Sequence, residues 1–340
     1  MKKLNPKLNT KLRREVSKNY SGKIYNISKI KVLDESDYFV VKIGLDGDAP
    51  KEFIKAYFFE PDSGIKRKKI NTWIPFIAKS AEKWYPHESV IEYMINRIGI
   101  ELGLKMNEVK LVIANGHIRF LSRYFKKSNE ALVHGAEICG EYLNDKEFAN
   151  QIANNYQNSR ELFTFEFICQ SINAVFPESS EEIIKDLVKM VTFDAIVGNN
   201  DRHFYNWGVI SSVKKIGKKS TFAPIYDSAR GLFWNEDEAN IVKHQKHIAH
   251  GGGKIEKYIE DAKPRISIEN HSNVNHFELI SFIKTQNPEY CSIIQDLLSE
   301  SKETRVLKML EKEIFQHFSF ERRDLISQVL RKRFDKLRTC

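Results

Sequence analysis

Between residues 38 and 79 apolar and aromatic positions crowd into three short runs, YFVVKIGL (38–45), FIKAYFFE (53–60) and NTWIPFIAK (71–79). They are separated by Asp46-Gly47-Asp48-Ala49-Pro50 and Pro61-Asp62-Ser63-Gly64. Short runs rich in aromatic and β-branched residues, bounded by Gly, Pro and Asp, predict strands, so the chain opens on an antiparallel sheet. The period then changes. In ESVIEYMINRIGIEL (88–102) Val90, Ile91, Met94, Ile95, Ile98 and Leu102 fall at helical spacing, with Gly103 placed to end the helix. KLVIA (110–114) and HIRFLSRYF (117–125) flank Asn115-Gly116, the strongest short-range hairpin signal in the chain.

Beyond about residue 130 helical periodicity dominates, through 145–175, 181–197, 276–284, 288–300 and 303–338. Residues 198–254 are mixed, with polar turns and the apolar runs WGVIS and TFAPIYD. No internal repeat or low-complexity linker interrupts the order. The pattern predicts an α+β, two-lobed protein: a basic arm over 1–23, a β-rich N-lobe with one helix over 24–126, and a helical C-lobe over 127–340. A cleft between the lobes is the expected place for a site.

The 340 residues, 41% of them hydrophobic, are enough to fill a core and exclude a chain disordered throughout. The net charge is +9, and residues 1–23 carry eight basic residues against Glu15 alone. Such an arm is expected to be a solvated tail, or to follow phosphates or an acidic partner. The basic cluster from Arg322 to Arg338 reads as a solvated helix face. No apolar stretch approaches the roughly 18–20 residues of a membrane span. Cys139, Cys169, Cys291 and Cys340 lie far apart with no CxxC pair, which fits a cytoplasmic protein better than a disulfide framework or zinc ribbon.

Candidate chemistry concentrates after the helix ending at Gly198. GNNDRHFYNWGVI (198–210) spaces Asp201 and Asn206 as D-x-x-x-x-N, and Asp227 follows 26 residues later in FAPIYDSARG (222–231). Phosphoryl transfer needs a carboxylate at the attacking hydroxyl and oxygen ligands for magnesium close by, which these residue types supply. Taken alone, the spacing is equally that of an Asx-turn closing a helix. Upstream, Lys79 ends a strand and Glu92 lies in the next helix, the order expected for a lysine that grips nucleotide phosphates and a glutamate that holds it. A metal-dependent phosphohydrolase built on Asp201, His203 and Asp227 would leave Lys79 and Glu92 without a role. His244, His247 and His250 form H-x-x-H-x-x-H, but steps of three spread them around a helix, which favours a structural or solvent-facing role. A nucleic-acid-binding module using residues 1–23 and the basic run Lys66, Arg67, Lys68, Lys69 is a reading from another class, without the interleaved aromatics that stacking would use.

The run GNNDRHFYNWG followed by APIYD resembles the HipA-like family of bacterial serine/threonine kinases, its shorter CtkA type included, over most of residues 60–235. The resemblance implies a protein-kinase-like fold, ATP and Mg2+ as cofactors, and a protein substrate with a Ser/Thr acceptor. It also implies a toxin–antitoxin setting with an antitoxin or DNA partner, and autophosphorylation. Lipid kinases and small-molecule phosphotransferases use a related residue set and remain an alternative. Carried onto this chain, Asp201 resembles the catalytic base, Asn206 and Asp227 the magnesium ligands, and His203 and Tyr226 neighbours of the nucleotide. Lys79 resembles the ATP lysine, with Glu92 preferred over Glu88 as its partner. Backbone groups of Ser122, Arg123 and Tyr124 are expected to face the adenine. The phosphate-covering loop matches PDSGIKRKK (61–69), with Gly64 in the turn and Ser63 as the serine available for autophosphorylation; it is not G-x-G-x-x-G. The first 60 and last 100 residues depart from HipA itself, and ARGLFWN (229–235) and NHFEL (275–279) suggest a distinct branch, so known protein targets do not carry over.

Overall fold

Six strands pair into one sheet in the computed structural model, which describes residues 9, 12, 24–42, 51–81, 87–213 and 219–340. They are β1 (Lys31–Val32), β2 (Tyr38–Val41), β3 (Lys51–Ala56), β4 (Ile74–Lys79), β5 (Val109–Ala114) and β6 (His117–Arg123), in spatial order β1-β5-β6-β4-β3-β2. Only β1 and β5 run parallel. The expected strand over 38–45 is observed as far as Val41, and residues 43–50 lie outside the described residues. Asn115 and Gly116 both take positive φ, 51° and 76°, as the tight turn between β5 and β6 requires. Alternation along β4 turns Ile74, Phe76 and Ala78 into a core shared with Ile54, Ala56 and Leu121. Of the basic arm, only Asn9 and Leu12 are described. The Asn9 carbonyl accepts from the Val40 N–H at 2.7 Å, and Leu12 is buried under the sheet, so at these two points the arm packs rather than floats.

Helix α1 (Glu88–Glu101) lies against β5 and β6 and buries Val90, Ile91, Met94, Ile95 and Ile98 completely. Each such side chain contributes about 1.5–3 kcal/mol relative to exposure. Gly103, at φ 81°, ends the helix: its N–H reaches the Ile100 carbonyl, and the Leu104 N–H reaches that of Gly99. This paired bonding through a left-handed residue satisfies carbonyls that the helix end leaves open.

The second lobe holds α2 (Gly135–Leu143), α3 (Lys146–Asn154), α4 (Tyr156–Leu162), α5 (Phe165–Val175), α6 (Ser180–Val197), α7 (Glu238–Ala249), α8 (Lys254–Asp261), α9 (His276–Gln286), α10 (Cys291–Leu297), α11 (Glu300–Met309) and α12 (Phe320–Thr339). It also contains an antiparallel sheet of β7 (Glu130–His134), β8 (Gly208–Ser212) and β9 (Thr221–Phe222), which the helical reading of 127–340 passed over. The helical run 145–175 is cut in three because Asn155 and Thr164 turn their side chains onto the N–H groups of Asn158 and Phe167 and start new helices. In 303–338 the chain leaves the helical path before Ser319, which caps α12 through the Arg322 N–H. Helices α2, α7 and α8 were not among the predicted segments. The central helix α6 is walled in by α5, α9, α10 and α12. Among the described residues no helix is long and apolar enough to cross a membrane.

The expected solvated basic face near the C-terminus is corrected at two positions. Arg322 and Arg333 are 0% and 1% exposed. Arg322 pairs with Glu238 at 2.7 Å and donates to the Phe233 and Glu236 carbonyls. Arg333 donates to the carbonyls of Ala195 (2.7 Å) and Ile259 (2.8 Å). Irregular segments leave carbonyls without backbone partners, and a planar five-donor group can satisfy several at once. Arg322→Ala should destabilise the protein by about 3–5 kcal/mol, because it takes the cation from the Glu238 carboxylate, which keeps only the Ser319 hydroxyl and His87, and the guanidinium from the Phe233 and Glu236 carbonyls. Arg331→Ala, which removes an exposed side chain 3.9 Å from Glu303, should change stability by less than about 0.5 kcal/mol. Urea unfolding of the two variants checks this, and equal small effects would return Arg322 to the surface.

Candidate active site

Lys79 ends β4 on the face toward α1, where the fourth residue after Glu88 turns Glu92 inward. Lys79 Nζ lies 2.7 Å from Glu92 Oε1 and 2.8 Å from Asp227 Oδ1. Of the two glutamates weighed on α1, Glu92 therefore makes the contact. The Phe120 ring, 5.6 Å from Nζ, closes one side. Burial works against the charge on Lys79, but the Asp227 and Glu92 carboxylates outweigh it and hold the ammonium above its ordinary pKa. The two acids diverge. Burial pushes Glu92 up to about 7 against the pull of Lys79. Burial would raise Asp227 too, but Lys79 holds it at about 2. Asp227, with 38% of its side chain exposed, is the open member of the trio and stays ionised.

The second half of the site is a loop tied down by one arginine. Helix α6 ends where Gly198 takes φ 68°. Asn199 then donates back to Asp194 Oδ1 at 2.8 Å and accepts from the Asp201 N–H at 3.3 Å. Arg202, fully buried, forks onto Asp194 (Nε–Oδ2 2.8 Å, Nη2–Oδ1 2.9 Å). The same guanidinium donates to the carbonyls of Asn206 (3.1 Å) and Tyr226 (2.6 Å) and to Ser228 Oγ (2.6 Å). One cation thus joins the end of α6, the Asp201–Asn206 loop and the Asp227 segment. Buried charge tolerates this only with a full set of partners. Sequence reasoning missed Asp194 and Arg202; an acid on the apolar face of α6 with an arginine eight residues on was the available signal.

Within the loop Asn206 donates its Nδ2 to the Asp201 carbonyl at 3.0 Å, which leaves Oδ1 as an oxygen for a cation. Asp227 stands at φ 53°, a conformation that a non-glycine residue keeps only when its surroundings impose it. Asp227 and Asn206 offer hard oxygens of the kind magnesium takes. Among the described residues no three His, Cys, Asp or Glu side chains converge to hold a metal ion. His203 accepts from the Tyr205 N–H at 3.2 Å, and burial lowers its pKa against the pull of Asp201 and Asp227. Tyr226 donates to the Tyr205 carbonyl at 3.0 Å and stands 3.1 Å from His134 Nδ1. Asp201 accepts from Arg265 Nη2 at 3.1 Å, with Arg230 Nε 3.8 Å from its other oxygen.

A small cavity beside Asp227 and Glu92 is lined by Asn107, Phe120, Ser122 and Tyr226. Asn107 donates to Ser122 Oγ (2.8 Å) and to the Arg123 carbonyl (2.9 Å). The N–H groups of Arg123 and Tyr124 are already committed to the Glu108 and Pro75 carbonyls. Of the backbone groups of residues 122–124 expected to face an adenine, those two donors are internal to the sheet, while Ser122 lines the cavity.

Ser63 and Gly64 are not brought to the site. Register places Lys51 opposite Lys79 and Ala56 opposite Ile74, so the 57–73 connection leaves from the other end of the hairpin, roughly 17 Å along a six-residue strand. There Gly64 takes φ 72°, Ser63 Oγ donates to the Glu60 carbonyl, and Arg67 pairs with Asp37. The assignment of 61–69 as the phosphate-covering loop is thereby overturned. The connection that leaves and re-enters the sheet beside Lys79 joins Val41 to Lys51; it contains Gly44 and Gly47, and its residues 43–50 lie outside the described residues. His244 packs on Phe233 and His250 bonds the Lys246 carbonyl, both at a distance in sequence from this constellation.

Residues 43–311 match the model of the HipA-like C-terminal domain family. No curated protein sequence matches the chain. Among solved structures, the Helicobacter pylori proinflammatory kinase CtkA superposes with a TM-score of 0.63 at 17% identity, over 84% of this chain and 93% of that one. HipA, from the Shewanella oneidensis complex of HipA, HipB and operator DNA, aligns with a TM-score of 0.47 at 11% identity, over 88% of this chain and 66% of that one. The fold is the mixed α+β, kinase-like fold of CtkA.

Glu92 titrates higher in the folded protein than its ordinary 4.5, so the native state holds a proton that the unfolded chain has released. Its contribution therefore turns unfavourable as pH rises from about 4.5 to about 7. Glu92→Gln should gain stability relative to wild type between pH 5 and pH 8, by up to about 3 kcal/mol. Thermal melts of both proteins at the two pH values check the sign, and an unchanged difference would contradict the burial assigned to Glu92.

Proposed function

The chain belongs to the family of the HipA-like C-terminal domain, and on that footing we propose that it is an ATP- and magnesium-dependent kinase that phosphorylates serine or threonine in a protein. One observation carries the reading. A single buried lysine bonds both a helix-borne glutamate and the aspartate of the 226–228 segment, beside a loop that presents Asp201 and Asn206. A metal-dependent phosphohydrolase built on Asp201, His203 and Asp227 would leave that lysine without a role, whereas transfer from a nucleotide uses a fixed cation where its phosphates lie.

The residues divide the work by their chemistry. Lys79 offers its ammonium to the nucleotide phosphates, and Glu92 keeps the side chain extended across the cleft. Asp227, held ionised by Lys79, and Asn206 supply oxygens to magnesium. When bound, magnesium neutralises phosphate charge and orients the terminal phosphoryl group. Asp201 accepts the acceptor hydroxyl's hydrogen bond and aims it in line with that group; its proton passes to the carboxylate as the new O–P bond forms and the bond from the γ-phosphorus to the bridging oxygen breaks, releasing ADP. Arg202 acts through the others, holding the Asp201 loop and the Asp227 segment in one frame. Such a reaction depends on positioning more than on covalent chemistry.

Purified wild type should transfer label from ATP to itself or to added protein in the presence of magnesium, located by gel and intact mass. Asp201→Asn and Asp227→Asn should each reduce transfer by about 10²–10⁴-fold, with thermal melts confirming that both fold. Normal transfer by either variant would overturn the assignment.

A further inference from the structure

Two cations converge on Asp201 although one would neutralise it. Arg265 hydrogen-bonds Oδ1 at 3.1 Å, while Arg230 Nε stands 3.8 Å from Oδ2, inside ion-pair range but beyond a hydrogen bond. Among the described residues no other carboxylate lies within ion-pair distance of either arginine. Both guanidiniums are held in place. Arg230 lies over the Trp234 ring at 3.7 Å, and Arg265 over Tyr156 at 4.4 Å. Stacking fixes the plane of the group and leaves its N–H edge available to an anion.

The backbones beneath them are fixed as well. The Arg230 carbonyl accepts from the Asn200 N–H, and the next residue, Gly231, packs so closely on α6 that an added Cβ would sit 2.5 Å from the Val197 carbonyl oxygen. Leu232 and Phe233 follow at positive φ, held by burial and by the Tyr258 hydroxyl on the Phe233 N–H. Arg265 rides on a loop that Arg160 clasps through the carbonyls of Pro264, Ser272 and Val274. Two rigid segments from distant parts of the chain thus bring positive charge to the same carboxylate. Arg230 is 26% exposed at its side chain and Arg265 18%, so both present an edge outward.

We propose that Arg230 and Arg265 form an anion-selective subsite that recognises an acceptor peptide carrying acidic side chains next to its serine or threonine. The inference rests on the reading of Asp201 as the group that meets the acceptor hydroxyl. A hydroxyl seated on Asp201 brings the flanking residues of its peptide past the two guanidiniums. Carboxylates there complete the unfilled fork of Arg230, whereas lysine or arginine would meet two cations.

The test compares two fluorescein-labelled peptides that differ only in carrying Glu or Gln around a central serine, read by anisotropy on the full chain with magnesium and a non-hydrolysable ATP analogue. Wild type should bind the Glu peptide about tenfold tighter. Arg230→Glu should abolish or invert that preference, and Arg265→Gln should reduce it, both with melts showing a folded protein. Equal binding of the two peptides by wild type, or a preference unchanged in both variants, overturns the subsite. So does loss of nucleotide-dependent thermal stabilisation with peptide selectivity intact, which would assign the arginines to the ATP phosphates. Because binding is read without turnover, acid-selective binding with no phosphoryl transfer would leave the subsite standing and sink the kinase reading. Transfer without acid selectivity would do the reverse.

Discussion

The ammonium of Lys79 is shared by two carboxylates from different parts of the fold, and the rest of the site takes its geometry from that sharing. Glu92 comes from α1, which the N-terminal sheet holds by a buried apolar stripe. Asp227 comes from the segment that follows β9 in the second lobe. One cation cannot fully satisfy both acids in a buried site, so they separate in character. Asp227, the more open, stays ionised, while Glu92 is lifted toward neutrality. With Lys79 charged and Glu92 lifted toward neutrality the trio is close to neutral, and Asp227 is the carboxylate left open to solvent.

Buried arginines do for the irregular segments what hydrogen-bonded ladders do for the sheets. Arg202 gathers the loop after α6 and the Asp227 segment, Arg160 gathers residues 264–274, and Arg322 and Arg333 pin the turns around α7 and α8 to α12. In each case the acceptors include main-chain carbonyls that no helix or strand satisfies. A guanidinium keeps its charge under burial and carries five donors in one plane, which lysine cannot match. Part of the basic excess is therefore internal structure, not an external surface for phosphates.

Much of the architecture was legible because its cause is local. The alternation in β4, the Asn115-Gly116 turn, the stripe on α1 and the Gly103 cap are each written within a few residues. The candidate positions Lys79, Glu92, Asp201, Asn206 and Asp227 stood out because the proposed phosphoryl transfer would require particular residue types in a particular order. Arg202 did not, since a buried arginine and a surface arginine are the same letter. The pairing of Arg230 and Arg265 on Asp201 joins positions 35 residues apart, and no periodicity announces it.

By itself the sequence determined most strands of the first lobe, the apolar stripe and end of α1, and which side chains are of the types that phosphoryl transfer would use. Only the tertiary structure decided which ends of the strands share a side. Ser63 and Gly64 occupy a turn with the right residues for a phosphate loop, yet the register Lys51–Lys79 puts that turn at the far end of the hairpin. The physical reason is range: propensity, capping and turn chemistry act over a few residues, whereas register, sheet order and the meeting of distant charges are settled by packing across the whole chain.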